Sequence, residues 1–226
     1  MTKRALCVGI NQFAHLPMAS WLNGCVNDAT DMAAMLSGRG FKAADTTVLT
    51  DAAATKPAIM DALTSMVTTA APGDHVVFSF SSHGTQVPDT DGDETDNADE
   101  AFATYDIAQK GNQWDTDTVI VDDELRILLA TLPKGVLMEV FLDTCHSGTG
   151  LRAEDLLSGR RPRFLPPPTV SGLRTVENAL RRGTVNEVVK ALPSASRPVL
   201  YAGCRSDQTS ADATFAGRSS GAFTYY

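Results

Sequence analysis

The sequence has no apolar run of the roughly 18 residues that a membrane-spanning helix needs. Nor does it have the long apolar core of a signal peptide, because residues 1–4 (MTKR) lead directly into a short apolar stretch. From these two absences we expect a protein that contacts no membrane and works in the cytoplasm.

Basic residues are too few and too scattered to predict nucleic-acid binding. The 226 residues include 19 Lys and Arg against 27 Asp and Glu, a formal net charge of −8. No block of Lys or Arg alternates with aromatic residues, which make up only 7% of the chain. Because nucleic-acid affinity depends on basic side chains that neutralise phosphates, we expect no nucleic-acid partner. The acidic balance is compatible with a preference for basic substrates.

Cysteine is scarce and its spacing is uninformative for structural roles. Cys7, Cys25, Cys145 and Cys204 are scattered, and no pair has CxxC spacing. This pattern predicts neither a disulfide framework nor a zinc site. We therefore expect reduced thiols in a reducing compartment, and one of them is a candidate for chemical activity.

What the sequence does contain is an alternation of short apolar runs with helical patterns. Strands are predicted over residues 4–10, 46–50, 75–81, 136–142 and 197–203, with a short extended piece around 101–105. Helices are predicted over residues 27–37, 56–70 and 122–132 and within 175–192. This order is typical of one α/β domain with a mostly parallel central sheet and helices on both faces. Arginines, glycines and a triple proline in residues 150–172 predict an exposed, poorly ordered loop.

Two reactive residues each follow a predicted strand. His83 comes after the third strand and Cys145 after the fourth, so neighbouring strands would bring both to the same sheet edge. A cysteine acts as a nucleophile when it is a thiolate, and a histidine can serve as its base and later as the acid. Backbone N–H groups near Gly84 and Cys145 could form an oxyanion hole. From this pattern alone, a small core cysteine and a turn histidine are equally good interpretations.

The segments around these residues resemble those of metacaspases and bacterial orthocaspases. Residues 80–86 (FSSHGTQ) are similar to the family's histidine segment, and residues 141–148 (FLDTCHSG) to its cysteine segment. Further similar segments follow the family's order at residues 24–29, 121–125, 203–211 and 221–224.

The resemblance implies a three-layer caspase-like fold in a single catalytic domain, residues 1–226. About 1–150 would be the large-subunit-like region, 151–192 an exposed linker and helix, and 193–226 the start of the small-subunit-like region. The family usually continues with a further helix and strand, so a trimmed C-terminus and an unusually short one both stay open.

The resemblance also implies an acidic pocket for the residue before the cleaved bond, the S1 pocket. It places Asp28 and Asp143 there, with Cys25 and Ser81 as neighbours. Asp143 lies two residues before Cys145, so an extended backbone puts both side chains on the same side. A buried carboxylate there would hold a P1 arginine through charge-assisted hydrogen bonds. Asp28 has a second interpretation, as an acidic residue favoured in the first turn of a helix.

Calcium is an open expectation. The acidic loop over residues 89–100 departs from the EF-hand pattern, because Glu94 stands where that loop needs glycine. Resemblance to calcium-dependent metacaspases implies a separate site made by Asp99, Asp122 and Asp123. Arg152 occupies the position where the family supplies a further aspartate, and an arginine opposes a divalent cation. Two interpretations therefore stay open: Ca²⁺ activates the protein at this site, or Arg152 prevents Ca²⁺ from binding. The chemistry itself requires no cofactor.

The function that the resemblance implies is a monomeric cysteine endopeptidase that cuts peptides or proteins after arginine or lysine, using His83 and Cys145. Residues 152–182 would offer sites for self-processing, among them Arg160, Arg161 and Arg163. A legumain-like enzyme that prefers asparagine is the nearest competitor. A non-enzymatic or decayed caspase-like signalling or calcium-binding module is the alternative from another class. A metal or redox role for Cys145 and His146 lacks both the spaced ligands and the CxxC arrangement.

Overall fold

The computed structural model describes residues 1–88, 98–145, 161–168, 198–203, 211–215 and 217–225. The strands are β1 (Lys3–Gly9), β2 (Thr46–Thr50), β3 (His75–Ser81), β4 (Gly84–Pro88), β5 (Ala98–Ala103), β6 (Gln109–Lys110), β7 (Gln113–Trp114), β8 (Val119–Val121), β9 (Leu137–Asp143), β10 (Arg161–Pro162), β11 (Val199–Ala202), β12 (Ala211–Phe215) and β13 (Arg218–Gly221). The helices are α1 (Cys25–Gly38), α2 (Lys56–Thr68), α3 (Asp122–Leu129) and α4 (Ala222–Tyr225).

The central sheet has five strands in the order β11-β9-β3-β1-β2. Every neighbouring pair in it is parallel. The five predicted strands are these five, and the predicted bounds of β2 and β3 agree with the structure. Parallel neighbours need long crossover connections, which α1 and α2 supply between the first three strands. The prediction of a mostly parallel α/β sheet is confirmed.

Helices cover both faces of this sheet, because alternate strand residues point to opposite sides. On one face, Ala5, Cys7 and Val77 pack with residues of α1, among them Ala29, Met32 and Leu36. On the other face, the strands contribute Leu6, Val8, Phe78, Phe80 and Val140 to a larger cluster that includes Ile59 and Leu63 of α2 and Leu125 and Leu129 of α3. The three-layer arrangement predicted from the sequence is therefore present.

Helix α1 begins directly behind the carboxyl end of β1. Asn11, two residues after the strand, accepts hydrogen bonds through Oδ1 from the backbone N–H groups of Cys25 at 2.8 Å and Val26 at 3.4 Å. These are N–H groups that the first turn of a helix leaves without an intrahelical acceptor. Gly9 allows this close approach, since a Cβ at that position would lie 2.1 Å from the Cys25 carbonyl oxygen. The first turn of α1 is thereby held at the edge where the central strands end.

Among the described residues, three small antiparallel sheets lie outside the central one and were only partly predicted. Strands β4, β5 and β8 form the first, β10, β12 and β13 form the second, and β6 and β7 form the third. Residues 161–162 form β10, which pairs with β12, and Arg163 and Leu165 are buried, so the prediction of an exposed loop is wrong for Arg163 and Leu165. The helix predicted within 175–192 lies outside the described residues. None of the described helices is long and apolar enough to cross a membrane.

Replacing Gly9 by alanine should destabilise the fold, because the new Cβ meets backbone of α1 that cannot move independently. We expect Gly9→Ala to lower the free energy of unfolding by about 1–3 kcal/mol, as overpacked cores do. Gly38→Ala is the matched control, since a Cβ there meets nothing within 4 Å. Urea unfolding of both variants checks this, and equal midpoints would contradict the close approach.

Candidate active site

The two residues predicted to carry chemistry follow neighbouring strands of the central sheet. Strands β3 and β9 are paired in parallel, and Ser81 stands opposite Asp143 at their carboxyl ends. His83 and Cys145 each lie two residues beyond that pair. The register therefore brings both residues to the same level of the same sheet edge. Both are buried, His83 at 5% exposure and Cys145 at 0%.

The His83 ring is oriented by two contacts. Its Nε2 lies 2.8 Å from the carbonyl oxygen of Ser20, which can only accept, so Nε2 carries the proton. The ring of Phe13 stacks on the imidazole with centroids 5.4 Å apart. Nδ1 is buried and has no hydrogen-bond partner among the described residues. In the neutral ring, Nδ1 is therefore the nitrogen that is able to accept a proton.

Burial keeps the imidazole neutral. The pKa of His83 is lowered to about 4, first by loss of solvation and also by the positive charges of Arg163 and Arg161. Contacts with the backbone of Ser20 and Arg163 oppose this shift without reversing it. At neutral pH the ring is thus available as a base.

Two backbone donors meet at one carbonyl oxygen beside Cys145. The N–H of Gly84 donates to the carbonyl oxygen of Arg163 at 2.8 Å, and the N–H of Cys145 donates to the same oxygen at 3.2 Å. Paired donors around one carbonyl oxygen are the arrangement of an oxyanion hole. The predicted role of Gly84 and Cys145 as backbone donors therefore has a matching geometry.

The acidic residues predicted for the pocket do come together, and they surround the side chain of Arg163. Its Nη2 lies 2.6 Å from Asp28 Oδ2, and its Nη1 lies 3.2 Å from Asp143 Oδ1. Nη1 also donates to Ser81 Oγ at 2.5 Å, and Ser81 Oγ donates to Asp28 Oδ2 at 2.7 Å. Asp28 is also in the first turn of α1, the position of its second interpretation, and this position is compatible with its contact to Arg163.

Sequence reasoning missed a third carboxylate. Asp212, in β12, is 2% exposed, and its Oδ1 lies 3.2 Å from Arg163 Nη2. The same side chain accepts hydrogen bonds from the backbone of Asn23 and Gly24, both at 2.8 Å, which ties β12 to the start of α1. The available signal was its position, directly after the 203–211 segment that resembles the family.

Other C-terminal residues also line the pocket, and they were not assigned from the sequence. Ser220 Oγ and the Gly221 N–H donate to Asp28, and Thr224 donates to Asp143 Oδ2 through Oγ1 at 2.8 Å. A Cβ at Gly221 would lie 2.1 Å from Asp143 Oδ2 and 2.6 Å from Arg163 Nη1. Glycine at this position thus leaves room for the guanidinium.

Cys25 is a buried wall of the pocket. Its side chain is 0% exposed, and burial raises the pKa of its thiol well above the usual value. The thiol therefore stays protonated at neutral pH and adds no charge to the pocket. Its predicted place beside Asp28 and Ser81 agrees with the groups that influence its pKa.

The residues predicted to bind calcium do not form a site among the described residues. Ala101 of β5 faces Val121 of β8 in an antiparallel pair, which puts Asp99 and Asp122 at the same end. Even so, the described residues include no group of three or more His, Cys, Asp or Glu arranged to hold a metal ion. Asp123 is instead paired with Arg126. The calcium hypothesis gains no support from the geometry of the described residues.

A parallel sheet with helices on both faces, and with His83 and Cys145 beyond adjacent strands, is a caspase-like α/β fold. A solved structure of a protein from Geobacter sulfurreducens agrees, with a TM-score of 0.67 and 30% identity over 100% of this chain and 80% of that one. A family model described as metacaspase, peptidase C14 domain, matches residues 3–154. The chain belongs to the metacaspase family.

Individual relatives extend this similarity beyond the range of the family model. Metacaspase-1 of Cryptococcus neoformans is 32% identical and aligns with 99% of this chain but 54% of its own length. Metacaspase-1 of Ajellomyces capsulatus is also 32% identical, with 99% of this chain and 69% of its own length aligned. The chain thus spans about half the length of the Cryptococcus relative.

The lowered pKa of His83 makes a prediction about stability and pH. Between pH 6.5 and about 4, an unfolded chain protonates this imidazole and the folded chain does not. The folded form therefore binds fewer protons, and its free energy of unfolding should fall as the pH drops through that window. Proton NMR of Cys145→Ala should show His83, assigned by its loss in His83→Ala, titrating near pH 4. Titration near pH 6.5 would contradict the buried, neutral ring.

Proposed function

We propose that this chain is a cysteine endopeptidase that cuts after arginine or lysine by means of His83 and Cys145, and that it can process itself. The observation that carries the proposal is that two separate contacts are made by one residue, Arg163. The carbonyl oxygen of Arg163 lies between the N–H groups of Gly84 and Cys145, and its guanidinium lies among carboxylates. A peptidase needs both features at the residue whose peptide bond it breaks.

The first chemical step is proton transfer from the Cys145 thiol to His83 Nδ1. Because Nε2 already donates to the Ser20 carbonyl, the imidazolium that forms keeps that hydrogen bond. The thiolate attacks the carbonyl carbon of the P1 residue, and the new oxyanion is stabilised by the Gly84 and Cys145 N–H groups. His83 then protonates the leaving amine, and water hydrolyses the thioester. The reaction needs no organic cofactor.

The specificity follows from the charge of the pocket. Asp28, Asp143 and Asp212 are each at most 2% exposed, so a charged partner interacts with them out of water. A basic P1 side chain satisfies these carboxylates, whereas an aspartate would add a like charge. The planar arginine head can bond to several oxygens at once, and a lysine supplies the same charge as a single point. Substrates are therefore peptides or proteins with a basic P1 residue.

Fluorogenic peptides ending in Arg, Lys, Asn or Asp at P1 test this function directly. We expect hydrolysis after Arg and Lys, with Arg faster, and none of it in Cys145→Ala. Parallel assays with Ca²⁺ and with a chelator test the activator separately. Cleavage after Asn would identify a legumain-like pocket, and no cleavage by any form of the chain would favour a non-enzymatic module.

Asp212→Asn tests the carboxylate that the structure adds to the pocket. Losing one charged partner of a desolvated pair costs on the order of 2–5 kcal/mol, so kcat/KM for Arg peptides should fall at least about 30-fold. Asp61→Asn, an exposed change on α2, is the matched control and should leave kcat/KM unaltered. Equal kinetics in the two variants would remove Asp212 from the pocket.

A further inference from the structure

The side chain of Arg163 fills the S1 pocket of its own chain. It is 0% exposed, the largest fully buried side chain among the described residues. Burial alone would lower its pKa, but the negative charges of Asp143, Asp28 and Asp212 outweigh that effect and hold the pKa well above the usual value. The guanidinium is therefore charged, and it occupies the position that a P1 arginine of a substrate needs.

The backbone of Arg163 is placed as a substrate's would be. A salt bridge needs only the guanidinium, yet here the carbonyl oxygen also receives the N–H groups of Gly84 and Cys145. The preceding residues extend away as β10, with Arg161 opposite Asp212 in β12. The P1 residue and the two residues before it are thus held along one extended path.

The residues after Arg163 are held as well. Phe164 forms a parallel bridge with Gly84, and the N–H of Leu165 donates to the Gly84 carbonyl oxygen at 2.9 Å. Thr85 Oγ1 donates to the Leu165 carbonyl oxygen at 2.6 Å, and the Leu165 side chain is 8% exposed within the main hydrophobic cluster. Contacts on both sides of one peptide bond are what a peptidase makes with a substrate before cleavage.

We infer that residues 161–165 are a substrate segment built into the chain, and that Arg163–Phe164 is the bond the chain cuts in itself. The uncut chain is then blocked in cis, because Arg163 already occupies the pocket that any other P1 residue needs. This inference rests on the proposed function and names the substrate and the regulation of that same site.

The geometry selects this bond over its neighbours. The Arg161 guanidinium donates to the Trp21 carbonyl oxygen at 2.7 Å, away from the carboxylates, and Arg161 has a largely exposed side chain. Since the carbonyl bound by Gly84 and Cys145 is that of Arg163, the bond after Arg161 is not the one presented. Arg160 lies outside the described residues.

The cleavage step balances without any further reactant except water. The Cys145 sulfur forms a bond to the Arg163 carbonyl carbon as its proton moves to His83. The carbon–nitrogen bond to Phe164 then breaks, and the nitrogen takes the proton from His83. Water hydrolyses the thioester, leaving the Arg163 carboxylate and restoring the Cys145 thiol. Leu165, the second residue after this bond, has a buried apolar side chain, so the cleft provides an apolar site for that residue.

Intact-mass spectrometry of the purified chain over time tests the inference. We expect the wild type to yield fragments of residues 1–163 and 164–226, at a rate that does not change on dilution. Cys145→Ala should stay whole. Arg163→Gln should not be cut at this bond, Arg163→Lys should be, and Arg161→Gln is the matched control that should still be cut there. Thermal melting confirms that each variant is folded.

Hydrolysis of an arginine peptide by Arg163→Gln separates the inference from the proposed function. With the pocket no longer filled by an arginine, this variant should hydrolyse the peptide at least as fast as the uncut wild type. If it hydrolyses the peptide while the wild type is never cut after Arg163, or is cut only elsewhere, the inference is overturned and the proposed function stands. If no folded variant hydrolyses any peptide and no chain is cut, the proposed function fails and the inference fails with it.

Discussion

The buried contact between one guanidinium and three carboxylates holds the functional edge of this molecule together. Asp28 comes from the first turn of α1, Asp143 from the end of β9 and Asp212 from β12, and Arg163 contacts all three. Buried ion pairs are poor sources of stability, because desolvation of the charges offsets much of their attraction. These pairs instead provide specificity. A buried carboxylate without a charged partner is strongly unfavourable, so the three carboxylates favour a basic side chain over any other.

The parallel sheet explains why these groups converge. Its strands all end at one edge, so residues placed just beyond β3 and β9 become neighbours although 62 positions separate His83 from Cys145. Glycine provides the clearance that larger residues would remove: Gly9 admits the start of α1 and Gly221 admits the guanidinium. The antiparallel strands outside the sheet then bring the C-terminal region back over the same edge.

Exclusion of water affects both the His83 ring and the carboxylates around Arg163. It lowers the pKa of His83, which keeps the ring neutral, and it strengthens the attraction of the three carboxylates for a cation. A segment of the chain itself supplies part of that exclusion, since residues 161–165 cover the edge between the two strands. Under the inference above, a site closed in this way is inaccessible to a second peptide, which would link its electrostatics to its regulation.

The sequence by itself determined the α/β class, the five central strands and the residues that follow them. Periodicity and short apolar runs indicate which residues of each strand and helix are buried. The segments around His83 and Cys145 carry the family resemblance. Only the tertiary structure decided that Asp212 joins Asp28 and Asp143 and that Arg163 lies among these three carboxylates. Composition predicted an exposed loop over residues 150–172, because arginine is polar and proline is typical of irregular structure. Local composition does not reveal that three carboxylates from distant parts of the chain surround Arg163. Their combined charge makes the burial of this arginine favourable.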